Sequence, residues 1–323
     1  MSIKVLISGG LGYIGTVLSH YLNEKKIDFA IIDDLSNSST KFLKKNFIFY
    51  KGNINNISIL KKIYNQFKPT HIVHLAASID VNESEIKKKK YYNNNVLNSK
   101  KFINFFIKKK VKNFIFSSTA AVYNCNSNKK KENLREIPAN YYGQTKLIVE
   151  NFLLKKKLKH NLCIKILRFF NVVGADKFFR AGNISKNSKH LFNNISKSIF
   201  QKNTFEVNGK NYKTSDGTCI RDFIDINDLV KIIIFFLKKK NKHTIFNIGT
   251  NVGYSVLKVL NSFERVLNCK IFYKFVKPRT GDAPNLVCDN RLLRSIYSSK
   301  FINFNKSVKS HYIFYKKNFY NFI

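Results

Sequence analysis

The segment SGGLGYIG follows directly on the apolar run KVLIS, and positions 9 to 15 hold four of the chain's thirteen glycines. Gly9, Gly12 and Gly15 recur at every third residue. Glycines placed so between a strand and a helix permit a tight turn. They also let backbone N–H groups approach a pyrophosphate at the helix N-terminus. The expected cradle runs from Gly9 through Gly12, Tyr13 and Ile14 to Gly15. A second strand, FAIIDD, delivers Asp33 24 residues beyond Gly9. A carboxylate there accepts a hydrogen bond from an adenosine ribose 2′-hydroxyl and repels a 2′-phosphate, which favours NAD over NADP.

The alternation continues along the chain. HIVHLAA (71–77), NFIFSST (113–119) and LCIKILRFFN (162–171) are apolar runs separated by helical stretches, one of them over 142–157. Buried runs alternating with helices predict an α/β fold, a doubly wound parallel sheet of Rossmann type covered on both faces. Beyond residue 175 the pattern loosens into an asparagine-rich stretch (183–194), a strand TFEVNG (204–209) and a helix over 226–240. The expectation is a NAD-binding domain over 1–175 and a smaller, mixed α/β substrate domain over 176–323. Part of 222–250 is expected to pack on the first.

Charge raises a competing idea. The chain carries 58 basic and 19 acidic residues, a net charge of +39, which suits a nucleic-acid binder. Yet fifty of the basic residues are Lys and eight are Arg, whereas readers of nucleic acid rely on the bidentate Arg fork. The Lys, Asn, Ile, Phe and Tyr excess matches A+T-rich codons, so compositional drift is the preferred reading. The lysine runs at 108–110, 155–157 and 238–240 close predicted helices, where cations suit the helix dipole. The longest apolar run, Ile232 to Leu237, is far short of the ~20 residues of a membrane span. The first strand begins too early to leave room for a signal peptide. Cysteines at 125, 163, 219, 269 and 288 show no CxxC spacing. They read as reduced thiols of a cytoplasmic protein without a metal site.

The stretch NYYGQTK (140–146) offers two tyrosines to one lysine. Residues four apart share a helix face, so Tyr142 pairs with Lys146 and Tyr141 does not. An ammonium beside a phenol favours the phenolate, by ~1–3 units for a close pair, and an oxidised nicotinamide would add a second positive charge; together they would make Tyr142 a general base. Thr119 ends a strand at the carboxyl edge of the sheet, where open α/β folds bind ligands. His71 and His74 are three apart on a strand and face opposite ways, which suits structural roles better than shared metal ligation.

Together the glycine loop, Asp33, HLAAS, NNNV, FIFSSTAAVY and the Tyr142/Lys146 pair resemble the extended short-chain dehydrogenase/reductase family. LRFFNVVGAD (167–176), DGTCIRDFIDINDL (216–229), FNIGT (246–250) and PRTGDAP (278–284) narrow the resemblance to its bacterial-type UDP-glucose 4-epimerases. The resemblance implies NAD-dependent inversion at C4 of a UDP-hexose, UDP-glucose to UDP-galactose and back. Tyr142 would take the 4-hydroxyl proton as C4 gives up hydride, then return it to the 4-keto sugar after the sugar turns over. Lys146 would tune Tyr142 and hold the nicotinamide ribose, and Thr119 would share the substrate's proton. Dehydratase relatives place carboxylates after this hydroxyl residue; here Ala120 and Ala121 follow.

By the same resemblance, Asn37, Asn53, Ile54, Leu75, Ala76, Ala77, Asn95, Ser117 and Phe169 join the NAD site. Asn171, Arg221 and Arg279 would meet the diphosphate, Asp282 the uridine ribose, and His190 and Leu191 the uridine. Leu286 would wall the hexose pocket, and Arg168 reads as structural. Substrates with an N-acetylated sugar or a uronic acid are the alternative, and a non-catalytic RNA-binding relative is a further one. A homodimer built from the 95–110 and 142–157 helices is also implied. Departures from the family pattern are Asn53 for an acid, Asn124 for glycine, Tyr141 and Asn193 for prolines, and a poor match over 177–189. Asn53 is expected to keep accepting a bond from the adenine amino group through its side-chain oxygen.

Overall fold

The computed structural model describes residues 2–123, 129–183, 190–239, 242–279 and 282–319. Asn124, Cys125, residues 184–189, Lys240, Thr280 and Gly281 lie outside them.

The strands are β1 (Lys4–Ser8), β2 (Asp28–Asp33), β3 (Ile48–Lys51), β4 (His71–His74), β5 (Asn113–Thr119), β6 (Cys163–Phe169) and β7 (Asn171–Val173). There follow β8 (Phe205–Asn208), β9 (Ile220–Asp225), β10 (Ile245–Ile248), β11 (Gly253–Ser255), β12 (Tyr273–Val276) and β13 (Asn285–Leu286). Seven of them form one sheet in the order β10-β6-β5-β4-β1-β2-β3. β1 runs parallel to β2 and β4, β2 to β3, and β4 to β5. The order reverses between β1 and β4, which places the glycine loop, residues 75–77 and Thr119 along the carboxyl edge where such sheets bind ligands.

Both faces of the central strands are buried, as near-continuous apolar strands require. Leu6, Ile32, Ile72, Phe114 and Phe116 enter one core with Phe102, Phe106, Val149 and Leu153. The residues between them, Ile7, Ile31, Val73 and Ile115, are buried on the other face.

The chain divides into two compact units that interleave in sequence; the expectation was a boundary near 175 with part of 222–250 packing on the first domain. The first comprises 1–122, 140–168 and 230–246; the second comprises 123–139, 169–229 and 247–323. The helix Ile226–Lys238 leads back to β10, the last strand of the large sheet, which is why the chain returns to the first unit. In the second unit β9 pairs with β11, β13 and β7, while β8 pairs with β12. Its core gathers Phe192, Phe223, Phe263 and Phe304, with Phe192 edge-on to Phe263 at 5.0 Å between ring centroids.

His71 and His74 take the separate surroundings that their spacing on β4 implies. Nδ1 of buried His74 lies 2.6 Å from Ser8 Oγ, and its Nε2 lies 2.9 Å from Ser99 Oγ. Half-buried His71 meets Thr70 Oγ1 at 2.9 Å. Burial, reinforced by Lys146, pulls His74 down to about 3, and burial likewise pulls His311 down to about 3. A base with a depressed folded-state pKa binds fewer protons than the unfolded chain between the two values, so stability rises with pH in that window. Thermal unfolding followed by circular dichroism should therefore show a Tm that falls as pH drops from 6.5 toward 3. His74→Gln should flatten part of that decline.

Asn193 replaces the family's proline on the helix Leu191–Gln201. It is buried, and neither side-chain polar atom finds a hydrogen-bond partner among the described residues. A buried, unpaired amide costs about 1–3 kcal/mol. Asn193→Leu, close in shape and without polar atoms, should raise stability by about 1–2 kcal/mol, measured as a shift of the urea midpoint at unchanged m.

Candidate active site

The glycine loop is built for a close approach. Gly9 sits at φ +69°, and a Cβ on it would lie 2.7 Å from Ala76 Cα. A Cβ on Gly15 would lie 2.5 Å from Gly10 Cα. Gly12 is the N-cap of the helix Tyr13–Glu24 and brings no side-chain acceptor to its first turn. A helix start without a capping side chain suits a pyrophosphate. At the end of β2, Asp33 Oδ2 accepts the Leu11 N–H at 3.0 Å, while Oδ1 accepts the Leu35 N–H at 2.9 Å and the Ser38 hydroxyl at 2.6 Å. A carboxylate has about four acceptor sites, so capacity remains for a ribose hydroxyl. These residues fit NAD. Ser38 was not foreseen, whereas Asn37 is exposed and bonds weakly to Ser36 Oγ at 3.5 Å.

Asn53 differs from expectation. Its Nδ2 donates to Asp34 Oδ2 at 2.7 Å, and its Oδ1 accepts the Asn55 N–H at 3.1 Å. The same oxygen also meets Asn98 Nδ2 at 3.5 Å, so the acceptor assigned to the adenine amino group is already engaged by two donors. Buried Ile54 follows it. Leu75, Ala76 and Ala77 continue β4 at the carboxyl edge, with the Leu75 N–H bonded to Ser8 O at 3.0 Å. Ser117 turns its hydroxyl to His74 O at 3.0 Å, and Phe169 ends β6. Asn95 lies in a π-helical stretch, Tyr92–Asn98. It clamps Ser78 through both amide atoms, at 2.8 and 2.9 Å, and reaches Thr145 Oγ1 at 3.2 Å.

The helix Tyr141–His160 carries Tyr142 and Lys146 on one face. Its first turn is fully capped. The Tyr141 N–H donates to Glu85 Oε1 at 2.6 Å, Tyr142 N–H to Ser84 Oγ at 3.1 Å, and Gly143 N–H to Asn140 Oδ1 at 2.8 Å. The Thr119 hydroxyl is the polar side chain that acts on the Tyr142 phenol. Lys146 is buried with its ammonium 4.7 Å from the Phe116 ring centroid. In the chain by itself burial governs both groups. Burial pushes Tyr142 up to about 12, with the Thr119 hydroxyl as the opposing influence. Burial also pulls Lys146 down to about 7, opposed by Glu150. Desolvation disfavours the phenolate and the ammonium alike.

In the second unit, Asn171, His190 and Leu191 line one pocket together with Asn183 and His311. The last two carried no sequence signal. Arg221 on β9 donates to Ala283 O at 2.7 Å and to Asp282 Oδ1 at 3.3 Å, so two expected ligand residues hold each other. Arg279 is exposed, and Leu286 pairs with Arg221 across β13 and β9.

Residues 5–249 match the model of the NAD dependent epimerase/dehydratase family. The chain belongs to this family. A UDP-glucose 4-epimerase of Azospirillum brasilense is 33% identical over 289 residues, which span 88% of this chain and 83% of that protein. One from Lactobacillus helveticus is 34% identical, with 92% of each chain covered. The crystal structure of the Bifidobacterium longum UDP-glucose 4-epimerase in complex with NAD+ and UDP superposes with a TM-score of 0.92 at 27% identity, covering 99% of this chain and all of the other (100%).

Against the family pattern, Tyr141 stands at the first helical position in place of proline. Proline has no N–H there, whereas Tyr141 has one and Glu85 receives it. Asn140 is extended, at φ −144° and ψ 161°, which a following proline tolerates. Glu85→Ala should lower stability by about 1 kcal/mol in the wild-type background. It should change stability little once Tyr141→Pro removes the donor. A double-mutant cycle on urea midpoints reads the coupling.

Proposed function

We propose that this chain interconverts UDP-glucose and UDP-galactose by oxidising and re-reducing C4 of the hexose. The observation that carries this reading is the Thr119–Tyr142–Lys146 group at the carboxyl edge of a dinucleotide-binding sheet. The two alanines after Thr119 supply no carboxylate for elimination. Bound NAD supplies the hydride acceptor for C4 and a positive charge that favours the Tyr142 phenolate.

The chain's own residues handle the proton and the orientation. Tyr142 takes the 4-hydroxyl proton and returns it at O4 of the keto sugar, and Thr119 carries the shared hydrogen bond. Lys146 holds the nicotinamide ribose and stabilises the phenolate. Asp33 and the loop from Gly9 to Gly15 hold the adenosine and pyrophosphate. Arg221 and Arg279 bind the UDP diphosphate, and Asn171, His190, Leu191 and Asp282 orient its nucleoside and phosphates. Leu286 closes the hexose side against bulkier substituents.

The purified protein should release NAD on denaturation and convert UDP-galactose to UDP-glucose. Tyr142→Phe should lower kcat by about 10²–10⁴-fold while NAD stays bound. Assays on UDP-glucose, UDP-galactose, a UDP-N-acetylhexosamine and a UDP-uronic acid test the sugar. Turnover of neither hexose would overturn the reading.

A further inference from the structure

Tyr142, Lys146 and Glu150 succeed one another at intervals of four along a single helix face. Glu150 has no place in the chemistry described above, and its carboxylate is 1% exposed. It is held from two strands. Arg168 on β6, 0% exposed, donates Nη2 to Oε2 at 2.7 Å and Nε to Oε1 at 3.1 Å. The buried hydroxyl of Ser118 on β5 donates to Oε1. Ser118 immediately precedes Thr119. One carboxylate therefore ties the catalytic helix to β5 and β6 beside Thr119 and Tyr142.

The charges are as confined as the geometry. Lys146 faces Tyr142 and Glu150 on its own helix, His74 on β4 and the Phe116 ring on β5, and Arg168 on β6 reaches the far side of Glu150. His74 is neutral near pH 7 because burial holds it down at about 3. Glu150 is thus the anion that balances two buried cations, Lys146 and Arg168.

We propose that Glu150 is a positioning residue: its bonds to Ser118 and Arg168 hold Thr119 in register with Tyr142, and its buried charge keeps Lys146 a cation. The first part stands on the geometry alone, and the second matters for turnover only through the epimerase reading. Burial pulls Lys146 down to about 7, and Glu150 opposes that pull. Removing the anion moves the lysine further toward the neutral amine.

The test uses the full-length protein with its co-purified cofactor. Glu150→Gln removes the charge, Glu150→Asp keeps it, and the pair Glu150→Gln/Arg168→Met also removes the cation that Gln would leave unbalanced. Lysine labelled with ¹³C at Cε is titrated by NMR, with the Lys146 signal assigned by its loss in Lys146→Met. In Glu150→Gln and in the pair, the Lys146 midpoint should fall by about one pH unit or more. The basic limb of the kcat–pH profile should move down with it, giving about a tenfold loss at the alkaline end and little change at the acid end. Glu150→Asp should keep the midpoint while kcat falls through the disturbed register. The same midpoint in the Asp and Gln variants, or a pair with the wild-type midpoint and profile, would overturn the proposal. The NMR titration is read without any UDP-sugar, so an inactive wild type would count against the epimerase reading and leave this test intact.

Discussion

The end of the first unit that carries Tyr142 and Lys146 is built around the pairing of Glu150 with Arg168 in a place that excludes water. Taking ions out of water is expensive, and mutual attraction offsets it only when the geometry is good and the remaining atoms are bonded. Here the pair is bidentate, and the Ser118 hydroxyl takes a further lone pair. Deleting one partner of such a pair costs about 3–5 kcal/mol, because a bare charge stays behind. The same dryness acts on the neighbours. It makes the Tyr142 phenolate costly and the Lys146 ammonium costly, so both move toward neutrality. A site of this kind holds its proton tightly until another positive charge enters, which suits an enzyme whose oxidised cofactor carries one.

The very basic composition leaves this interior untouched. Lysines sit mainly at the surface, where their stems lie along aromatic rings. Lys100 and Lys156 both cover Phe152, Lys109 covers Tyr64, and Lys4 covers Phe67. Each such contact offers about 0.5–1 kcal/mol at exposed sites, and the charge itself remains solvated. Net charge bears on solubility and association and says little about fold. A chain can drift toward lysine, phenylalanine and tyrosine in this way while Glu150 and Arg168 stay paired in its interior.

The departures at the family's proline positions have different structural outcomes. At Tyr141 the backbone regains an N–H, and Glu85 from a neighbouring short helix accepts it. At Asn193 a polar side chain enters an apolar setting, and no described group accepts it. One substitution was absorbed by a side chain brought near by the fold, and the other left an unpaired amide.

What the sequence determined by itself is local. The strand–glycine–helix order, Asp33 at the end of the second strand and the four-residue step from Tyr142 to Lys146 all follow from chain periodicity and from what glycine permits. Glu150 was legible too, one further step of four along the same face, but nothing in the sequence said that this face was dry. Tertiary structure decided the rest. It brought Arg168 and Ser118, 18 and 32 residues away, onto Glu150. It brought Ser84 and Glu85 onto the helix start from more than fifty residues upstream. It also buried Tyr142, which pushes its phenol up. Spacing tells which side chains share a face; only the segments packed over that face decide whether water reaches it, and water sets the cost of every charge there.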